Sequence, residues 1–252
     1  MKPTYIILGT QKGGTESMMV HFQQHPDIYI HRCEIGFFND ESYFINNSCN
    51  IQIYEKHFRT KKQIIGEKTP SYMYVRNVID RIQQYYPDIK LIILLREPIQ
   101  RAYSQYNMKE KRNNYKTSFI DLIKEKEHIK VQDILTNDYN SYFLQRGFYI
   151  DQLEYIYSLF PHENIYIGIS EEVLQNPLEE YNKVFQFLGT SLLESIRFTP
   201  NVHKGIYPSE LSQEDRAYLY NLYKPYNERL YALLGRKIES WETYYKAHGL
   251  VT

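Results

Sequence analysis

Tyr5-Ile6-Ile7-Leu8-Gly9-Thr10-Gln11-Lys12-Gly13-Gly14-Thr15-Glu16-Ser17 is the stretch that decides the fold. Its first four residues are apolar without a break and rich in β-branched and aromatic types. That pattern suits a strand of a parallel sheet buried on both faces. Gly9 ends the run, and a helix is expected from Thr15 to about Gln24, before His25-Pro26. A glycine turn that leads into a helix aims backbone N–H groups at an anion. Gln11, Gly13 and Gly14 shape the turn, Thr15 and Ser17 add hydroxyl donors, and Lys12 adds a mobile positive charge. Glu16 is grouped with the loop by position, although an acid has no evident task beside an anion. The ATP-binding pattern G-x-x-x-x-G-K-[ST] fails here, because Thr15 and Glu16 follow Gly14 where a lysine and a hydroxyl residue are needed. The dinucleotide pattern G-x-G-x-x-G fails at Gln11. The lysine stands ahead of the glycine pair, and an ordinary tight turn is the structural alternative.

Further along the chain, strands are expected at Gln63–Gly66, Lys90–Leu95 and Asn164–Ile169. Helical spacing appears over Asn77–Tyr86, from Pro98 to about Lys111, over Phe119–Lys126, Ile150–Phe160 and Leu178–Leu188, and over Ser212–Leu234 with Pro225 as a candidate break. Residues 109–140 read as a surface excursion. Strands alternating with helices predict an α/β fold with a central, mostly parallel sheet flanked by helices and a P-loop-like phosphate-binding turn after the first strand. No linker or repeat interrupts the chain, so a single domain over 1–252 is expected. Ligands of such sheets bind beyond the carboxyl ends of the strands.

Composition excludes several classes. Lys plus Arg and Asp plus Glu number 30 each, which gives no support to a general nucleic-acid or membrane-surface role. The two cysteines, Cys33 and Cys49, are too few for a disulfide framework, and no histidine spacing suggests a metal site. No leader-like segment precedes the first strand, and no apolar run approaches the roughly 18 residues that span a bilayer. The expectation is a cytoplasmic protein with no metal, nucleic acid or membrane partner.

A second anion motif follows the third expected strand, Arg96-Glu97-Pro98-Ile99-Gln100-Arg101-Ala102-Tyr103-Ser104-Gln105-Tyr106. Arg96 at the strand end and Ser104 two turns into the helix suit a separate phosphate. Arg101 either shares that role or pairs with Glu97 at i,i+4, and for Arg96 a structural ion pair is the alternative.

Two phosphate stretches on one sheet, with lysine ahead of Gly-Gly-Thr, resemble the PAPS-dependent sulfotransferases, and within them the carbohydrate branch of heparan sulfate O- and N-sulfotransferases. PAPS, 3′-phosphoadenosine 5′-phosphosulfate, carries phosphate at both ends of its nucleoside. By this resemblance, Gln11 to Ser17 is the 5′-phosphosulfate loop and Arg96 to Tyr106 the 3′-phosphate element. Cys33-Glu34-Ile35-Gly36-Phe37-Phe38-Asn39 resembles the branch's Glu-x-His-Phe-Phe-Asp segment. Gly66-Glu67-Lys68-Thr69-Pro70-Ser71-Tyr72 resembles its Glu-Lys-Thr-Pro-x-Tyr segment. His203-Lys204-Gly205-Ile206-Tyr207-Pro208 resembles a late Lys-Gly-Arg loop over the nucleotide.

The resemblance implies transfer of a sulfuryl group from PAPS to a hydroxyl or amine of an acceptor, a carbohydrate, with 3′-phosphoadenosine 5′-phosphate (PAP) as product and no metal. It implies Glu34 as base, Lys12 on the bridging oxygen and sulfonate, and Lys68 on the sulfonate or acceptor. Thr15 and Ser17 would take the 5′-phosphate, Arg96 and Ser104 the 3′-phosphate, and Lys204 and the Gly205 amide would add contacts. Gly36 and Asn39 stand where the branch has histidine and aspartate, and His31 and Asp40 are nearby candidates to replace them. A non-catalytic nucleotide- or glycan-binding relative, and a P-loop kinase or NTPase, are the other classes left open.

Overall fold

The computed structural model describes residues 1–47, 49–113, 117–133, 142–199 and 209–251. Five strands, β1 (Tyr5–Gly9), β2 (Ile28–Ile30), β3 (Ile64–Lys68), β4 (Lys90–Leu95) and β5 (Ile165–Ile169), form one sheet in the order β2-β3-β1-β4-β5. Every pairing is parallel. The helices are α1 (Thr15–Phe22), α2 (Gln52–Glu55), α3 (Arg76–Tyr85), α4 (Pro98–Asn113), α5 (Phe119–Lys126), α6 (Tyr149–Leu159), α7 (Ser170–Gln175), α8 (Pro177–Leu188), α9 (Gln213–Leu234) and α10 (Glu239–Ala247).

The sheet is what the apolar runs predict. All of β1 is buried, and Leu91 to Leu95 of β4 are at most 2% exposed, because helices cover both faces. Side chains alternate between those faces. Tyr5 and Ile7 join Ile92 and Leu94 in a cluster with Met18 and Phe22 of α1 and Val184 and Phe185 of α8. Each such side chain contributes on the order of 2 kcal/mol by leaving water. Pro177 opens α8 at its first position, and Gly189, with φ 80°, closes it.

The chain divides into two compact units, one of residues 1–95 and 156–203, the other of 96–155 and 204–252. The first holds the whole sheet. In the second, the Glu97 carboxylate caps α4 by accepting from the Ile99 and Gln100 amides at 3.0 and 2.7 Å, and also from the Tyr245 hydroxyl at 3.1 Å. The Arg101 guanidinium is fully buried and donates to Gln105 Oε1 at 2.7 Å and to the Phe143 carbonyl. Arg101 is therefore part of the packing of this unit. It has neither the phosphate role nor the Glu97 side-chain pairing weighed from the sequence.

One further expectation is corrected. α9 runs unbroken through Pro225, because Leu219, Tyr223, Asn227 and Leu230 keep one face of it buried on both sides of the proline. The helices expected to about Lys111 and over Phe119–Lys126 are present as α4, which runs two residues further to Asn113, and α5. The Phe119 ring packs on Tyr106 and Phe143 at 5.2 and 6.3 Å.

Candidate functional site

The glycine turn expected to take phosphate lies at the carboxyl end of β1. Its shape is imposed by the neighbouring central strand. The Thr10 amide donates to the Leu94 carbonyl at 3.1 Å, and the Gly13 amide donates back to the Thr10 carbonyl at 2.9 Å. A Cβ on residue 13 would stand 2.5 Å from the Leu94 carbonyl oxygen, so this position must be glycine. Ser170, the first residue of α7, donates its hydroxyl to the Gly13 carbonyl at 2.6 Å and pins the turn from β5's side. Gly14 is the N-cap of α1 at φ 89°, and Lys12 adopts φ 71°. A left-handed non-glycine residue costs roughly 1–2 kcal/mol, a strain that collects at ligand-binding turns. Gln11, Lys12 and Ser17 are half-buried and Thr15 is buried.

The segment Glu67–Tyr72 starts at the carboxyl end of β3 and stitches the segment Glu34–Asn39 in place. Glu67 is fully buried and accepts from the Tyr54 hydroxyl at 2.9 Å, the Thr69 hydroxyl at 2.6 Å, the Tyr72 hydroxyl and the Ile35 amide. Burial pushes its carboxyl above the ordinary range, against the pull of those donors. The Gly36 amide donates to Thr69 Oγ1 at 3.3 Å, the Phe38 amide to the Tyr72 hydroxyl at 3.4 Å, and Asn39 Nδ2 to Ser71 Oγ at 2.8 Å.

Lys68 stands at the centre. Its side chain is 3% exposed, and its ammonium donates to Glu34 Oε1 at 3.0 Å and to Glu16 Oε2. Three segments found separately in the sequence thus meet on one lysine, with Ile7 of β1 in register with Lys68 and the Thr69 amide donating to the Ile7 carbonyl. Glu16 belongs to this cluster through Lys68, which supplies the task missing from its reading as a loop residue. Glu34 is half exposed, so its carboxylate is anchored on one side and open to water on the other.

His31 and Asp40, the nearby candidates for the branch's histidine and aspartate, bond to their own loop backbone and to Ser42. His31 Nδ1 meets the backbone of Cys33 at 2.9 and 3.3 Å, and Asp40 accepts from the amide and hydroxyl of Ser42, which hold its carboxyl below the usual range. Gly36 has φ 68° and open space where a Cβ would stand.

Arg96 and Ser104 lie in the second unit. The Arg96 carbonyl accepts from the buried Tyr149 hydroxyl at 2.7 Å. Ser104 is buried on α4, one turn beyond Gln100. Arg96 lines a cavity of about 600 Å³ with Gln100, Tyr103, Arg216, Tyr244 and His248. Arg216 was not singled out from the sequence, since one arginine in the polar start of a helix carries no spacing signal. Lys204 and Gly205 lie outside the described residues. Among the described residues, no group of three or more His, Cys, Asp or Glu side chains is placed to hold a metal, and no helix is long and apolar enough to cross a membrane.

The sulfotransferase domain family matches residues 2–207. The membrane-associated sulfotransferase kil1 of Dictyostelium discoideum is 27% identical over 95% of this chain, which spans 66% of that protein's length. Heparan sulfate glucosamine 3-O-sulfotransferase 5 of Mus musculus is 28% identical over 94% of this chain and 73% of its own. The solved sulfotransferase of Alicyclobacillus acidocaldarius shares the fold, with a TM-score of 0.75 at 24% identity over 96% of this chain and 99% of the other. With a glycine cradle at the carboxyl end of β1 and a match running over most of its length, the chain belongs to the sulfotransferase domain family and is a sulfotransferase enzyme.

Proposed function

We propose that the chain moves a sulfuryl group from PAPS to a hydroxyl, or an amine, of a carbohydrate acceptor by in-line displacement. The acceptor oxygen bonds to sulfur as the bond from sulfur to the 5′-phosphate oxygen breaks. The acceptor proton passes to Glu34, and PAP leaves with the bonding electron pair. Lys12 faces the charge growing on the leaving phosphate, and Lys68 the transferring group or acceptor. Gln11, Gly13, Gly14, Thr15 and Ser17 hold the 5′ end, with Glu16 acting through Lys68. Arg96 and Ser104, joined by Lys204 and Gly205, hold the 3′-phosphate.

The observation that carries this reading is the Glu34–Lys68 contact of 3.0 Å, a half-exposed carboxylate held by a buried ammonium at the carboxyl end of the sheet. It supplies a base and a cation side by side, and the chemistry calls on no metal. The carbohydrate acceptor is supported by the relatives named as heparan sulfate glucosamine 3-O-sulfotransferases.

The test is transfer of labelled sulfate from PAPS across a panel of sugar hydroxyls, sugar amines, lipids and phenols. A sugar acceptor, lost with Glu34→Gln, is the expected result. PAP is expected to raise the melting temperature, and Lys12→Ala to abolish that rise. No PAP binding at millimolar concentration would sink the donor reading. PAP binding without transfer to any acceptor would leave a non-catalytic relative, and transfer unaffected by Glu34→Gln would remove Glu34 as the base.

A further inference from the structure

The cavity in the second unit holds one cation that nothing so far explains. Arg216, in the first turn of α9, has a side chain only 13% exposed. Its nearest carboxylate among the described residues is Glu210, 3.8 Å away and 95% exposed, a distance and exposure at which an ion pair contributes little. A guanidinium this covered calls for a better counter-charge. Its Nη1 donates to the Tyr244 hydroxyl at 2.5 Å, which fixes the planar group in place. Tyr244 accepts that bond with its oxygen, so its own proton is left to donate. Burial, the largest influence on it, pushes the Tyr244 phenol up to about 12, and it stays protonated at neutral pH. Arg96 lines the same cavity, so two guanidinium groups and a phenolic donor face a space of about 600 Å³. Guanidinium groups in that number match a dianionic phosphate, which accepts several charge-assisted bonds at once.

From this arrangement we infer that Arg216, oriented by Tyr244, is a ligand of the donor's 3′-phosphate together with Arg96. The inference rests on the donor reading above and adds a residue from the C-terminal helix to it. It makes the 3′-phosphate, rather than the adenosine, the group that this cavity selects.

The test compares PAP with adenosine 5′-monophosphate, which lacks the 3′-phosphate, by calorimetric titration at fixed salt. Arg216→Gln is expected to weaken PAP at least tenfold and to change adenosine 5′-monophosphate less than twofold. Arg216→Lys, which keeps the charge but not the fork, is expected to fall between. Tyr244→Phe is expected to weaken PAP about threefold. It also serves as the independent variant should the Arg216 changes fail to fold, as judged by melting. Equal weakening of both nucleotides, or of neither, overturns the inference while leaving the donor reading intact. Failure of the unsubstituted chain to bind PAP overturns both and is recognised by that result alone.

Discussion

Replacing Lys68 by methionine removes the ammonium and keeps most of the stem. At the 3.0 Å separation from Glu34, a pair of unit charges attracts by about 5.5 kcal/mol at an effective dielectric of 20 and about 1.4 kcal/mol in water. Lys68 is 3% exposed, but Glu16 and Glu34 are 36% and 50% exposed, so the pair lies between those limits and its burial penalty offsets part of the attraction. A net loss of about 2 kcal/mol follows, above an exposed pair and below a fully buried one. For a chain of this size that lowers the melting temperature by about 4–8 °C. Adding Glu16→Gln to Lys68→Met should recover about 1 kcal/mol, because the two carboxylates left behind repel each other. Catalysis should fall further than stability does. If Lys68 faces the transferring group, kcat drops about 100- to 1000-fold, as for loss of one preorganised donor. PAP lacks the sulfonate, so its dissociation constant should move less than threefold. The assays are thermal melting, calorimetric titration with PAP, and initial rates of labelled sulfate transfer. A melting temperature within 1 °C of the unsubstituted chain would refute the ion-pair geometry. A rate loss under tenfold, or a PAP affinity falling in step with the rate, would refute the placement of Lys68 on the sulfonate or acceptor.

Gly13→Ala should destabilise by about 1–3 kcal/mol and weaken PAP, because its methyl would meet a carbonyl oxygen of a central strand at 2.5 Å; an unchanged melting temperature would count against the loop geometry. Glu67 gives a pH signature. Burial raises its folded carboxyl above the unfolded value, so its contribution is fully present below about pH 4.5 and is lost as pH rises through the folded value. Glu67→Gln should therefore flatten the stability decline above pH 4.5 in melting curves taken across pH, and a decline of unaltered slope would contradict the assignment. Pro225 sits on the exposed side of α9 and denies the Asn221 carbonyl its helical donor. Pro225→Ala should raise the melting temperature, by about 2 kcal/mol of added stability once the looser unfolded chain is allowed for; a lower one would show the proline fitting the helix better than alanine.

Much of this was legible in the chain because the sheet is parallel. Strands buried on both faces leave unbroken apolar runs, and β1 and β4 could be read almost to the residue. β2 could not. It is a three-residue edge strand with one half-exposed tyrosine at its centre, too short to show a period. α10 was missed for a related reason, since only Trp241 and Tyr245 of its nine residues are buried. The division into two units left no trace, because it falls inside α6 and at the junction of β4 with Arg96, where no linker composition marks it.

The site shows a sharper limit. Motifs report which residue types gather, and the Glu34 and Lys68 segments were found that way. They do not report the direction of a side chain on a helix. Glu16 follows Thr15 on α1, and one residue is a rotation of about 100°. That step turns Thr15 into the protein and Glu16 towards Lys68. On the proposed reading, adjacent residues of the loop would then have two tasks, a donor cradle made by its backbone and, through Glu16, an anchor for Lys68. Lys68 divides its ammonium between Glu16 and Glu34, so if the acceptor engages Lys68 as proposed, its charge competes with two carboxylates. On that proposal, Glu16 would control how much of Lys68 the acceptor receives. Glu16→Gln should then alter the Michaelis constant for an acidic sugar more than for a neutral one, and equal effects on both would show that Glu16 only holds the fold.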